Sequence, residues 1–235
     1  MKKFLLIVAV LAFAQWWFKD PSISIPEDDV SLGYIVKYTG ENGRNDNLPM
    51  LVALHGNGDT AKHFYETALD LVKTPARIVL LKGPLSYSGG DAWPYKAEDL
   101  SRYGNAVNEA VGQLALKYPT QGKPVLLGFS GGAIMAYYQA VKYGNSYSYI
   151  LPVSGELSEA LLGDESANPG AGVHAYHGKS DSVISFGSGK NAVKLLQAKG
   201  VRATLTEFAG NHLGIFTDMK PEITQAIEEK LAGLK

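Results

Sequence analysis

The stretch Val125 to Ala136, VLLGFSGGAIMA, constrains the fold more than any other part of the chain. Val125-Leu126-Leu127 is short, branched and apolar, as a strand buried on both faces should be. Ile134, Met135 and Tyr138 have the spacing of a helix face packing back onto that strand. Between them, Gly128-Phe129-Ser130-Gly131-Gly132 matches G-x-S-x-G. A strand that turns this sharply into a helix brings its flanking side chains into collision, so glycine is needed on both sides of the serine. The turn lifts the hydroxyl clear of the sheet, at a helix N-terminus. Any strand–turn–helix calls for small residues, however. The pentapeptide carries chemistry only if the rest of the chain supplies a base, an acid and an oxyanion hole.

Strand and helix patterns alternate along the whole sequence. Gly33 to Tyr38, Met50 to Leu54, Arg77 to Leu81, Tyr147 to Val153, Val173 to Tyr176 and Val201 to Phe208 read as further strands. Helices are predicted over Ala61 to Val72, around Leu100 to Leu114, over Ala192 to Lys199, and from Pro221 to the C-terminus. Gly83 to Tyr95 reads as a loop rich in glycine, serine and aromatics. Such alternation predicts an α/β fold, with a mostly parallel sheet covered by helices on both faces. Ligands in these sheets bind at the carboxyl ends of the strands. HGNGD, the Ser130 turn, SGEL, HGKSD and GNHLG all fall just after strands, on that one rim.

A serine alcohol needs a base within hydrogen-bond reach, itself oriented by an acid, and in G-x-S-x-G enzymes the chain order is Ser, acid, His. Three histidines follow Ser130. His174 sits within the apolar VHAY, which suits a packed residue. His177 ends that strand, where it suits a turn. His212 lies in the glycine-flanked loop AGNHLG after the last strand, which makes it the candidate base. Asp181 follows the penultimate strand, next to that loop, and is favoured as the acid over Glu156, Asp164 and Glu165. The oxyanion hole would use the N–H of Gly131 and one from the loop LHGNGD, assigned to Asn57; His55 in that loop reads as structural. This chemistry calls for no metal and no organic cofactor.

The pieces LHGNGD, AWPY, LLGFSGG, PVSGEL, YHGKSD and GNHLG, in this order from Pro49 onward, resemble the phospholipase/carboxylesterase branch of the α/β-hydrolases, which includes the acyl-protein thioesterases. The resemblance implies a serine hydrolase cleaving carboxylic esters through Ser130, Asp181 and His212. It also implies that Trp93 walls the acyl pocket. The chain departs from the family pattern in having Gly131 after the nucleophile, Ser182 after the acid, and Trp93-Pro94-Tyr95 where Trp-Phe-Asp is common. Other readings are a peptidase on the same fold and a catalytically silent envelope protein that binds an apolar ligand. Only about 20 residues separate Val153 from Val173, too few for a large lid. The expected cleft is shallow and open, with Leu85 to Tyr95 as its one movable wall, and suits short, soluble acyl esters.

Apolar residues make up 46% of the 235 and charged residues 19%, enough for an ample core. The net charge of −1 gives no electrostatic reason to expect a nucleic-acid partner. The absence of cysteine excludes disulfides, thiolate metal sites and a cysteine nucleophile. Met1-Lys2-Lys3 followed by FLLIVAVLAFA, which ends in Ala12-Phe13-Ala14, has the form of a signal peptide. The expectation is export, periplasmic or secreted, with residues 1–14 removed. The alternative is a membrane anchor over 1–18, since Trp16 and Trp17 suit an interface even though the apolar run falls short of the ~20 residues of a full crossing. The α/β-hydrolase domain is expected over 30–235.

Overall fold

The computed structural model describes residues 20–234. The signal or anchor segment expected over 1–14 or 1–18 lies outside them. Among the described residues, no helix is long and apolar enough to cross a membrane.

The centre is an eight-stranded sheet. Its strands are β1 (Ser22–Ile25), β2 (Val30–Tyr38), β3 (Leu48–Leu54), β4 (Arg77–Leu81), β7 (Thr120–Phe129), β8 (Tyr149–Val153), β9 (Gly172–Gly178) and β10 (Ala203–Phe208), in the order β1-β2-β4-β3-β7-β8-β9-β10. From β4 to β10 every pairing is parallel, while β1 with β2 and β2 with β4 are antiparallel. β5 (Leu85–Tyr87) and β6 (Gly90–Ala92) form a separate hairpin. The helices are α1 (Ala61–Phe64, widening into a π turn over Tyr65–Leu69), α2 (Ala97–Lys117), α3 (Gly131–Lys142), α4 (Glu159–Leu162), α5 (Phe186–Ala198), α6 (Gly214–Thr217) and α7 (Lys220–Ala232).

Period-two alternation divides the central strands between two cores. Met50, Val52, Leu54, Leu126, Ile150 and Val173 face the side covered by α2, α3 and α5. Leu51, Ala53, Val125, Leu127, Leu151 and Val153 face the side covered by α1, α6 and α7. With both faces covered, the strands are continuous apolar runs, which is why they read so clearly in the sequence. Each fully buried aliphatic side chain contributes about 1.5–3 kcal/mol.

Three sequence expectations change. The folded unit begins before residue 30, because β1 pairs with β2 and buries Ile23 and Ile25 in the core. The expected loop at Gly83 to Tyr95 contains the β5–β6 hairpin. It is pinned rather than free, since Gly58 N–H donates to Asp91 O at 2.9 Å and Asp91 N–H to Asp59 O at 2.8 Å. α5 starts at Phe186, ahead of the predicted Ala192, with the Ser185 hydroxyl capping Ser188 N–H at 3.1 Å.

The strand ends are level. Leu54 pairs with Gly128, Phe129 with Val153, and Phe208 with Gly178. The loops that leave these ends therefore share one rim, and the connection from β8 to β9 holds only the four-residue α4, so no lid is built over it.

Candidate active site

Ser130 occupies the single residue between β7 and α3, at φ 53° and ψ −115°. A side chain there is strained by about 1–3 kcal/mol and persists only when its surroundings over-determine it. They do. A Cβ at Gly128 would overlap the Gly132 carbonyl, one at Gly132 would overlap the carbonyls of Leu54 and His55, and one at Gly131 would overlap the Asn57 side chain. Ser130 N–H is fixed to Val153 O at 3.0 Å. The glycines permit α3 to press against β3, and the hydroxyl is left at the helix N-terminus.

His212 and Asp181 come from the loops after β10 and β9. His212 Nδ1 lies 2.7 Å from Asp181 Oδ2, and the Asp181 side chain is fully buried. The Asp181 Oδ1 atom accepts Val183 N–H at 2.9 Å and Ile184 N–H at 3.0 Å, which holds the carboxylate in place. A carboxylate against Nδ1 sets the imidazole tautomer that leaves Nε2 free to take a proton. Ser130 and His212 line the same cleft, of about 610 Å³, together with Gly56, Asn57, Phe129 and Val183. Of the rival acids, Glu156 accepts the Tyr95 hydroxyl, and that bond pushes the Tyr95 pKa up to about 12. Glu165 is bound by Lys142, Tyr138 and Ser101, and Asp164 is exposed. None of these three is a partner of His212.

Among the described residues, neither Asn57 N–H nor Gly131 N–H meets a protein acceptor. The Asn57 side chain is used elsewhere, with Oδ1 accepting Trp93 N–H at 2.7 Å and Nδ2 donating to Trp93 O at 3.3 Å. This ties the loop after β3 to the hairpin and leaves the backbone N–H available. Trp93 is not part of the cleft wall. It is 1% exposed, belongs to the core, and donates Nε1–H to His55 O at 2.9 Å. It braces the loop after β3 from behind.

His55 and His174 are structural in their contacts. Buried His55 donates from Nδ1 to Gly56 O at 2.7 Å and accepts Gly83 N–H on Nε2 at 3.0 Å; burial holds its pKa below the usual histidine value. His174 meets the Thr206 hydroxyl at 2.7 Å and stacks on Tyr176.

Sequence reasoning missed several residues in the cleft and behind it. Phe129, the variable position of the pentapeptide, packs under His212 with ring centroids 5.1 Å apart. Ser154, also at positive φ, donates its hydroxyl to His212 O at 3.1 Å. Its place directly after β8 was a readable signal. Val183 and Leu213 line the cleft yet are 68% and 54% exposed, and the cleft is also lined by the polar pair Asp59 and His63, which are 2.7 Å apart. A larger groove, of about 730 Å³, lies near the antiparallel edge and includes none of Ser130, Asp181 and His212. No group of three or more His, Asp or Glu side chains among the described residues is placed to hold a metal ion.

No curated protein matches the sequence. Solved structures do match the fold. A Bacillus cereus carboxylesterase superposes with a TM-score of 0.69 at 16% identity, over 85% of this chain and 94% of its own. Esterase PE8 gives 0.68 at 20%, over 83% and 100%. A Zea mays acyl-protein thioesterase 2 gives 0.60 at 22%, over 84% and 99%. The fold is that of the α/β-hydrolases. The family model described as Phospholipase/Carboxylesterase matches residues 40–228, and the chain belongs to that family of carboxylic-ester hydrolases.

Proposed function

We propose that Ser130, His212 and Asp181 form a working triad that cleaves short, soluble acyl esters through an acyl-enzyme. Ser130 Oγ adds to the acyl carbon while His212 Nε2 takes its proton. The negative charge that develops on the carbonyl oxygen is received by the N–H groups of Asn57 and Gly131. Collapse breaks the ester bond, and His212 returns the proton to the departing alcohol. Water then attacks the acyl-enzyme by the same route, releasing the acid and restoring Ser130. The observation that carries this reading is the 2.7 Å contact between His212 Nδ1 and buried Asp181 Oδ2, on a cleft that His212 shares with Ser130.

The preference for small substrates is supported by the four-residue α4 where a lid would be inserted, and by the modest cleft. An open apolar trough large enough for long chains would be a liability on an uncovered surface. Export belongs to the same proposal, supported by the Met1 to Ala14 pattern.

Ser130→Ala is expected to lose nearly all turnover of p-nitrophenyl esters and all labelling by a fluorophosphonate, with its melting profile kept. A folded variant with wild-type turnover would exclude the triad, and a wild-type protein that resists labelling would favour a silent ligand-binding protein. For substrate size, the rate is expected to follow dissolved tributyrin smoothly through its solubility limit. A jump when droplets form would mean activation at an interface.

A further inference from the structure

A fully buried imidazole beside the triad has no part in the chemistry above. His177, the penultimate residue of β9, has no exposed side-chain surface. Its Nε2 is 2.9 Å from Ile184 O and 3.2 Å from Asp181 Oδ2. Among the described residues its Nδ1 has no hydrogen-bond partner, and it faces Gly189 of α5, where a Cβ would overlap it. A ring nitrogen with no acceptor beside it carries the lone pair, so the proton belongs on Nε2. That N–H donates to Ile184 O and lies against Asp181 Oδ2.

The contacts close a circuit. His177 holds the Ile184 carbonyl, the Ile184 N–H holds Asp181 Oδ1 at 3.0 Å, and Asp181 Oδ2 holds His212 at 2.7 Å. The turn itself does not need the imidazole, since Asp181 Oδ1 already caps two N–H groups in the manner of an Asx turn. Burying a polar ring with one nitrogen unpartnered is costly where an aliphatic side chain would fill the same space. What the ring adds is a second polar contact, at 3.2 Å, on Oδ2, the same oxygen that meets His212 Nδ1. Rotation of the carboxylate, which would carry Oδ2 off His212 Nδ1, must then break this contact as well.

We propose that His177 is a positioning residue for the acid of the triad, fixing the Asp181 carboxylate against His212, and that Gly189 is glycine because the imidazole occupies the space of its Cβ. The proposal rests on the triad reading of Ser130, His212 and Asp181.

The test compares His177→Leu, His177→Gln and His177→Asn in the full chain, with Ser130→Ala in parallel. The readouts are kcat and KM on a short p-nitrophenyl ester, and the rate of Ser130 phosphonylation by a small fluorophosphonate. The glutamine amide can reach Ile184 O from the Nε2 position, whereas the asparagine amide falls near Nδ1, against Gly189. His177→Leu and His177→Asn are expected to lower kcat and phosphonylation about 10–100-fold with KM nearly unchanged, by analogy with the loss on removing outer partners of metal-ligating residues, and His177→Gln should recover most of the loss. Folded leucine and asparagine variants with wild-type kcat would overturn the positioning role, as would a glutamine variant no faster than the asparagine one. Should His177→Leu fail to fold, the glutamine–asparagine pair decides alone. Full turnover in Ser130→Ala would instead remove the triad on which the proposal rests, a result distinct from the other two.

Discussion

On one side of the cleft, the Ser130 elbow and the loop Gly56 to Asp59 are fixed by backbone atoms in close approach. On the other side, Asp181 and His212 are fixed by side-chain hydrogen bonds. The first wall leaves no alternative, because each glycine around Ser130 abuts main chain or the Asn57 amide, and the loop is stapled to the hairpin through Asp91 and Trp93. The second wall depends on a bond between residues 31 positions apart and on two N–H groups aimed at one carboxylate oxygen. Steric exclusion is written locally, in the residue that must be absent. Hydrogen-bonded geometry is written across the fold and can be altered one donor at a time. The first wall should therefore break by unfolding, and the second by losing rate.

The largest expected effect is on the second wall. Asp181→Asn keeps an oxygen for Val183 and Ile184 N–H but removes the charge that orients His212. The kcat should fall by about 10⁴, the loss associated with a wrong histidine tautomer in a serine triad, while the melting temperature changes little. Glu156→Gln and Asp164→Asn, assayed beside it, should stay near wild type. A deeper loss in either would move the acid away from Asp181.

The contrast between the walls also accounts for what was legible in the sequence. The elbow could be read from five residues, because its glycines are demanded by local collisions. The buried strands could be read because both faces of the sheet are covered. The pairing of His212 with Asp181 could be anticipated only through chain order, position after strands and the glycine-flanked loop of His212. What stayed hidden depends on contacts made only in the folded chain. β1 is a four-residue edge strand with just two buried side chains, Ile23 and Ile25. The hairpin has weak strand propensity and exists because Asp59 pairs with Asp91. The first turns of α5 carry Gly187 and Gly189, which hide the helix, and the space of a Cβ at Gly189 is taken by His177. The family resemblance implies a pocket role for Trp93, yet its indole N–H is committed to His55 O.

A smaller effect, and one of a different kind, is expected on the first wall. In Gly132→Ala the new Cβ would overlap the carbonyls of Leu54 and His55, and neither can retreat without moving β3. Overpacking against backbone of this kind costs about 3 kcal/mol. For a domain of this size that is a fall of about 6–12 °C in melting temperature. Activity measured below the new transition should fall much less than in Asp181→Asn. If Gly132→Ala melts like wild type but is inactive, the division between the walls is wrong, because the elbow would then be adjustable in place.

The smallest effect separates the walls by pH. His55 lies behind the first wall, fully buried, donating to Gly56 O and accepting Gly83 N–H. Desolvation lowers its pKa in the folded protein from the unfolded value of 6.5. Its Nε2 is occupied as an acceptor, so a second proton would have to break the bond to Gly83. As pH falls below 6.5 the unfolded chain takes up a proton that the folded protein resists, and stability declines; above 6.5 the contribution of His55 is complete and flat. One such group gives a slope of at most about 1.4 kcal/mol per pH unit. His174, also lowered by burial, adds in the same direction. The melting temperature should therefore drop between pH 6.5 and 5, and the drop should be shallower in His55→Gln, whose side-chain oxygen can still accept Gly83 N–H. A variant with an unchanged slope would mean that the first wall is not held by a neutral His55, and that its rigidity rests on Trp93 and the hairpin alone.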